Sequence, residues 1–435
     1  TSDGAAVLKL YNYYKLSRTY EEAGLLAKKG GCDTEIPVGA AFRHLPEYVR
    51  SGELDESVLD ESVRRVLTIK FDMGLFENPY CDVDKVRQAM NNAQKDALSE
   101  KIAGKSLVLL KNDGVLPLAA GAKLAVIGPH ADNLRYPVSG YTYPAYIEML
   151  QAGASGQATT FNGIADEQAK ADQEQGEKKK VVPGPFATMY SMFSDEDRSK
   201  LGDMNTVLRE MGAQSLQEAL AKTHAVRYAR GCDIIEKDTS GFAEAVEAAK
   251  QSDVVVMALG GNSGWVNVTG GEGKDRQYLD LPGVQQQLLE AVAAVGKPMV
   301  VVLYGPGVFS VNWAAEHCGA ILQAFMPGQF AGKAVADVLN GAVNPGGKLT
   351  MSIPRSAGQI PLTYNHRIGS GYQSSGDAGS GSSIFSGGYV DGPADPLYCF
   401  GHGLSYTSFQ LSDLALSGDE VPTDGVVEVS CKVQN

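Results

Sequence analysis

Val254-Val255-Val256-Met257-Ala258-Leu259 is an unbroken apolar run that ends in Gly260-Gly261. A strand with water on one face alternates apolar and polar side chains. A strand apolar on both faces belongs in a sheet covered on both sides, which is the habit of mostly parallel α/β folds. Further strand candidates lie at residues 106–110, 124–128, 299–303 and 319–324, and helical periodicity fits 240–251 and 284–295 between them and 332–340 after the last. This alternation predicts a mostly parallel α/β sandwich over residues 106–355. Residues 137–205 interrupt it as an insert. Within the insert, 151–180 is rich in Gly, Ala, Gln and charge, and Lys178-Lys179-Lys180 reads as a solvated loop.

On the N-terminal side, residues 1–80 read as alternating βα units. Tyr20–Lys29 has helical periodicity and stops at Gly30-Gly31. Residues 32–37 fit a short strand ended by Pro37, and 56–67 fits a helix whose Val58, Val63, Val66 and Leu67 mark a buried stripe. Two βα units cannot close a sheet unaided. Thr1 is not an initiator Met, and residues 426–435 alternate like a half-buried strand with nothing after them to shield an edge. The expectation is a piece of a longer chain. Residues 81–105 read as a linker and 356–399 as loop. From Phe400 on, short strands with turn residues predict the start of a β-sandwich.

Composition narrows the function classes. Of 435 residues, 51 are acidic and 38 basic, a formal net charge of −13. That balance argues against nucleic acid or an anionic membrane as partner, because phosphate binding leans on surplus Lys and Arg. No apolar run approaches the length of a membrane span. The six Cys form no CxxC pair and the six His show no metal-ligand spacing, so neither metal nor cofactor is expected.

Two short stretches carry the chemistry. Ser2-Asp3 lies where a strand would end and a helix begin. An Asp there is an ordinary N-cap, and it is also where β/α enzymes place catalytic residues. Gly270-Gly271-Glu272-Gly273-Lys274-Asp275-Arg276 lies past the carboxyl end of the 254–259 strand, where open α/β sheets bind ligands. Glycines around a lone Glu leave its side chain unobstructed, and the same composition also makes a plain surface turn. Taken together, the two acids point to glycoside hydrolysis, with one carboxylate attacking the anomeric carbon and the other protonating the leaving oxygen. Retention of configuration needs the carboxyl groups roughly 5–5.5 Å apart, so Asp3 and Glu272 must meet at a domain interface. Trp265 shares the Glu272 loop and either stacks on a sugar or packs beneath the loop. Asn267-Val268-Thr269 is a glycosylation sequon, meaningful only in a eukaryotic secretory setting. His130, after Gly128-Pro129 at a strand end, completes a substrate-binding set of Trp265, Asp275, Arg276 and His130, although a structural hydrogen-bonding role also suits it. Gly260-Gly261-Asn262-Ser263-Gly264 lacks the Lys-Ser/Thr of a P-loop and the spacing of a dinucleotide fingerprint.

With these residues in place, the sequence resembles glycoside hydrolase family 3 along nearly its whole length. Ser2-Asp3 with Ala6 is similar to the SDxxA nucleophile segment, and Gly31-Cys32-Asp33-Thr34-Glu35 to the AGxDxE strand. Arg64 through Tyr80 resembles the closing helix of the family's barrel, and Ser106 through Asn112 with Leu116-Pro117-Leu118 the entry to its second domain. Glu272 with Asp275-Arg276, Leu281-Pro282-Gly283 and Gln285 is similar to the acid/base loop. Pro327-Gly328-Gln329, Asn344 through Leu349, and Phe400 through Tyr406 follow in the family's order.

The resemblance implies a (β/α)8 barrel, then the α/β sandwich, then a fibronectin type III-like domain. Residues 1–80 become the last βα units of the barrel and 400–435 the start of the third domain. Asp3 becomes the nucleophile and Glu272 the acid/base of an exo-acting retaining β-glycosidase that releases a terminal β-D-glucosyl residue from a β-linked oligosaccharide or glycoside. The alternatives are a β-xylosidase or α-L-arabinofuranosidase of the same family, and a non-catalytic carbohydrate-binding relative. With most of the barrel absent, this chain alone is expected to be inactive or nearly so unless a companion barrel chain completes it; a homodimer also fits. Periplasmic, secreted and cytoplasmic settings all remain open.

Overall fold

The computed structural model describes residues 1–4, 6–36, 39–90, 92–154, 204–365, 389 and 391–435. It divides into two compact units, Thr1–Asn92 and Ala93–Asn435.

In the larger unit six strands form one sheet: β1 (Val108–Asn112), β2 (Lys123–Ile127), β3 (Ala225–Ala229), β4 (Val254–Gly260), β5 (Met299–Tyr304) and β6 (Ala320–Phe325), in the order β1-β6-β5-β4-β2-β3. Every pairing is parallel except β1 with β6. The mostly parallel α/β expectation therefore holds for this sheet, with one antiparallel edge.

The apolar run of β4 is explained by two cores. Val255, Met257 and Leu259 face one side with Leu288, Leu289 and Val292 of a helix at Gln285–Ala293 and Ala245 and Ala249 of a helix at Phe242–Lys250. Val256 and Ala258 face the other with Val335, Val338 and Leu339 of a helix at Ala331–Leu339. The period of two is present, but both phases are apolar because helices cover both faces.

Several expectations shift. Residues 81–105, read as a linker, hold helices at Val83–Met90 and Ala93–Ser106. The second packs on the Ala331–Leu339 helix through Ala103 and a Lys333–Glu100 ion pair of 2.6 Å. Only Ala103 and Gly104 of it are buried, too thin a stripe to register as an apolar period. Because that helix runs to Ser106, β1 starts at Val108, two residues later than expected. Strand β3 was not anticipated: it lies at the sheet edge with mostly exposed side chains and so lacks an apolar run. Of the insert 137–205, residues 155–203, with Lys178-Lys179-Lys180, lie outside the described residues. Its flanks form helices at Tyr143–Ala154 and Met204–Glu210, joined through Ile147, Leu150 and Met204. In the 356–399 segment, 366–388 and 390 likewise lie outside; Gln359 Nε2 donates to the carbonyls of Pro393, Ala394 and Asp395 at 3.2–3.3 Å, fastening the described parts together. Residues 400–435 contain one antiparallel pair, β7 (Gln410–Leu416) with β8 (Val429–Gln434).

In the smaller unit the Tyr20–Lys29 helix forms as expected, with Thr19 Oγ1 accepting the Glu22 amide at its start. Residues 32–36 form no strand ladder. Ser2 N donates to Thr34 O at 2.9 Å, Ser2 Oγ accepts the Ile36 amide, and a single parallel bridge joins Gly4 to Ile36. The second helix extends over Glu56–Asp72, and its stripe differs from the expectation. Val63 and Leu67 are exposed, Val58 and Val66 half-buried, and Ser62 is the covered position. Ser62 Oγ donates to Asp33 Oδ1 at 2.7 Å and accepts from the buried Lys28 ammonium, so that face is held by polar contacts that apolar periodicity does not report.

The end of β4 positions everything that follows. Gly260 has φ +133°, and a Cβ there would lie 1.8 Å from the Tyr304 carbonyl oxygen. Buried Gln285 closes this end: Nε2 donates to the Gly260 carbonyl at 2.8 Å and the Ile234 carbonyl at 3.1 Å, and Oε1 accepts the Gly260 amide at 2.8 Å. Gln285→Met, nearly the same size, strands these three buried groups and should cost about 2–3 kcal/mol. Urea unfolding measures it; a midpoint equal to that of the parent contradicts this account of the strand end.

Candidate active site

Beyond Gly260 the chain makes a loop that bonds to itself before reaching Glu272. Asn262, fully buried, donates through Nδ2 to the Val266 carbonyl at 2.9 Å. The Thr269 amide donates to the Asn262 carbonyl at 3.0 Å, and Thr269 Oγ1 accepts the Asn262 amide at 2.9 Å. The threonine of the sequon thus closes the neck of the loop.

Of the two readings of Trp265, a sugar platform or a residue packed beneath the loop, the structure has the second: its side chain is 3% exposed and lies on Ala145 and Met149 of the Tyr143–Ala154 helix. Its ring lies 4.5 Å from that of Tyr146 and 5.6 Å from that of Tyr141. The more open aromatic surfaces are those of Tyr141, 66% exposed, and Tyr146.

The loop is pinned from below by Arg135, almost wholly buried. Nη1 donates to the Val138 carbonyl at 2.8 Å, Nη2 donates to the Ser263 carbonyl at 3.1 Å, and Nη2 lies 2.9 Å from Glu148 Oε2. Burial pushes the Glu148 carboxyl above its ordinary value, and the Arg135 cation opposes that rise. A Cβ at Gly264 (φ +153°) would lie 2.3 Å from Arg135 Nη2, so glycine is required there.

Glu272 stands at the tip. Gly271 and Lys274 exchange amide–carbonyl hydrogen bonds of 3.1 Å, making Glu272 and Gly273 the two central residues of a tight turn. Gly273 takes φ +65°, which favours glycine at the second central position. Glu272 is exposed, and its Oε2 accepts a hydrogen bond from the Tyr141 hydroxyl.

Asp275 is exposed, whereas Arg276 is half-buried, its guanidinium 5.0 Å over the Phe309 ring and donating to the Asp280 carbonyl. His130, expected at the sugar, is in the interior, stacked on Tyr304 at 4.8 Å with Tyr136 edge-on at 5.4 Å. Burial pushes its imidazole down to about 3, offset in part by the Gly261 backbone, so it stays neutral near pH 7. Asp3 belongs to the other unit. It is exposed, and its Oδ1 accepts the Gly4 amide at 2.6 Å. The helix after it begins only at Ala6, which places Asp3 ahead of an ordinary capping position.

The structure thus gathers Glu272 and Trp265 into one cluster and adds Tyr141, Tyr146, Arg135 and Glu148, which sequence reasoning missed. The aromatic density of Tyr136 to Tyr146 was visible, but nothing in the sequence links position 141 to position 272.

A family model described as the glycosyl hydrolase family 3 C-terminal domain matches residues 107–406. A β-xylosidase of Formosa agariphila is 33% identical over the whole of this chain and 52% of its own length. A periplasmic β-glucosidase of Salmonella typhimurium is 31% identical over 95% of this chain and 49% of its own. Among solved structures, a β-glucosidase from Listeria innocua in complex with gluconolactone is similar with a TM-score of 0.75 at 28% identity, covering 100% of this chain and 50% of that one. The chain therefore spans about half the length of the curated relatives it matches.

The Arg135–Glu148 pair generates a prediction whose sign follows from linkage. An acid raised by burial holds its proton more tightly folded than unfolded, so stability falls as pH climbs from its ordinary value toward the raised one. Arg135→Met removes the opposing cation and extends that window upward. The variant should lose about 3–5 kcal/mol at about pH 7 and clearly less at about pH 5, where Glu148 can protonate. Urea unfolding at both pH values checks this, and equal losses contradict it.

Proposed function

The chain belongs to glycosyl hydrolase family 3, and from that premise we propose that it carries both catalytic acids of an exo-acting, retaining β-glycosidase. In this reading residues 1–80 are the last βα units of a (β/α)8 barrel, and residues 400–435 begin a fibronectin III-like domain. The observation that carries the proposal is Glu272 itself: an exposed carboxyl on the tip of a glycine-flanked turn beyond the carboxyl end of β4, with one oxygen held by a phenol.

The chemistry proceeds in two displacements. Asp3 attacks the anomeric carbon as the bond to the leaving oxygen breaks, and Glu272 gives that oxygen its proton. Glu272, now a carboxylate, takes a proton from water as the water oxygen attacks the same carbon and releases Asp3. Configuration is retained because inversion occurs twice. The mechanism requires the two carboxyl groups to come within roughly 5–5.5 Å around the bound sugar.

The sugar is proposed to be a terminal non-reducing β-D-glucosyl residue, in keeping with the β-glucosidase names among the relatives. The β-xylosidase name of another keeps xylosyl, and with it arabinofuranosyl, as the second reading. Asp275 and Arg276, next to Glu272 on the same loop, are proposed as substrate contacts. Trp265 and His130 act through packing.

The test is Glu272→Ala in the full-length protein. Loss of a general acid slows substrates that need protonation of the leaving oxygen, so kcat/KM for alkyl or sugar glycosides should fall about 100-fold or more, with far smaller losses in kcat/KM for activated nitrophenyl glycosides. With the nitrophenyl glycoside, whose leaving group departs without an acid, added azide should restore turnover by attacking the glycosyl-enzyme without base catalysis. Equal loss on both substrate classes without azide rescue contradicts the assignment. Sugar binding with no turnover in the parent protein would establish the non-catalytic alternative.

A further inference from the structure

A carboxyl group on a glycine-flanked tip has little of its own to hold it. Gly270, Gly271 and Gly273 leave the backbone around Glu272 without neighbouring side chains, and a glutamate has three side-chain torsions to fix. A proton donor must sit within hydrogen-bond reach of the oxygen it protonates, and small displacements cost large factors in rate.

The restraint comes from Tyr141, which lies in another segment of the chain and donates its hydroxyl to Glu272 Oε2. A tyrosine ring has fewer torsions to freeze, and this one is braced edge-on against Trp265, itself packed on Ala145 and Met149. Both ends of the hydrogen bond hang on the same buried guanidinium. Arg135 Nη1 holds the carbonyl of Val138, three residues before Tyr141, and Nη2 holds that of Ser263, in the loop leading to Glu272.

We propose that Tyr141 is a positioning residue for the Glu272 acid/base, holding Oε2 so that Oε1 is the oxygen that delivers the proton to the leaving group and later takes one from water. This rests on the reading of Glu272 given above. The proton bookkeeping is simple. In the acid form Oε1 carries the hydrogen and Oε2 is the carbonyl oxygen that accepts the phenol. In the base form Oε2 still accepts the phenol, now as a stronger, charge-assisted bond, and Oε1 is the lone pair facing water. Tyr141 keeps its own proton in both steps, and it touches the reaction only through Glu272.

The experiment is Tyr141→Phe in the full-length protein, alone and combined with Glu272→Ala, assayed on an alkyl glycoside and on an activated nitrophenyl glycoside. The ring is retained, so its contact with Trp265 survives; an unchanged near-UV circular dichroism spectrum checks that. The expected result is a loss of about tenfold in kcat/KM on the alkyl glycoside and about twofold or less in kcat/KM on the nitrophenyl glycoside, because kcat/KM reports the step in which Glu272 acts as the acid. In the Glu272→Ala background Tyr141→Phe should add nothing, because two residues acting as one unit are not additive. Equal losses on the two glycosides, wild-type behaviour on both, or full additivity with Glu272→Ala overturns the proposal. The two levels separate cleanly. If Glu272→Ala keeps its leaving-group dependence and azide rescue while Tyr141→Phe shows neither effect, only the positioning role falls. If Glu272→Ala lacks that pattern, the parent reading falls and this one with it.

Discussion

A single guanidinium, 2% exposed, holds together the part of this protein on which the candidate chemistry depends. Burying a cation is costly, and the cost is offset only when carboxylate and carbonyl partners take its hydrogen bonds. Arg135 has three such partners: the Val138 carbonyl on its own connection, the Ser263 carbonyl on the loop after β4, and the Glu148 carboxyl group on the helix that supports Trp265. The requirement extends to the backbone, since Gly264 must lack a side chain for the guanidinium to fit. The exposed Glu272 turn is thus the outer end of a frame fastened from within.

How far the sequence disclosed this depends on the range of the interaction. The continuous apolar run of β4 announced a sheet covered on both faces, because burial on each face is a property of the run itself. The glycines around Glu272 announced a turn for a similar local reason. The fates of Trp265 and His130 were not legible. Either could have faced a ligand, and what decides is packing against residues far along the chain, Met149 for the one and Tyr304 for the other. Arg135 gave no signal, because an arginine between Leu134 and Tyr136 looks like any surface cation until a distant carboxylate and carbonyl meet it. Strand β3 and the Ala93–Ser106 helix escaped for the opposite reason: little of either is buried, so neither leaves an apolar period.

The smaller unit shows the same limit. Its Tyr20–Lys29 helix carries its own cap and stop and was readable at once. The Glu56–Asp72 helix buries a serine where a valine stripe was expected, since Lys28 and Asp33 reach across to it. Polar contacts between segments leave no periodic trace. In this family member they recur in both units, at Ser62 and at Arg135, as the devices that fix segments bearing candidate acids or the segment beside them.

The account stands or falls on whether Asp3 and Glu272 serve one sugar. A crystal structure of the full-length protein with a non-hydrolysable β-glucoside bound measures this directly. The account predicts carboxyl groups about 5–5.5 Å apart on either side of the anomeric carbon, with Glu272 Oε1 within hydrogen-bond reach of the glycosidic oxygen. A bound glycoside with Glu272 far from that oxygen, or with a different carboxylate beneath the anomeric carbon, contradicts it.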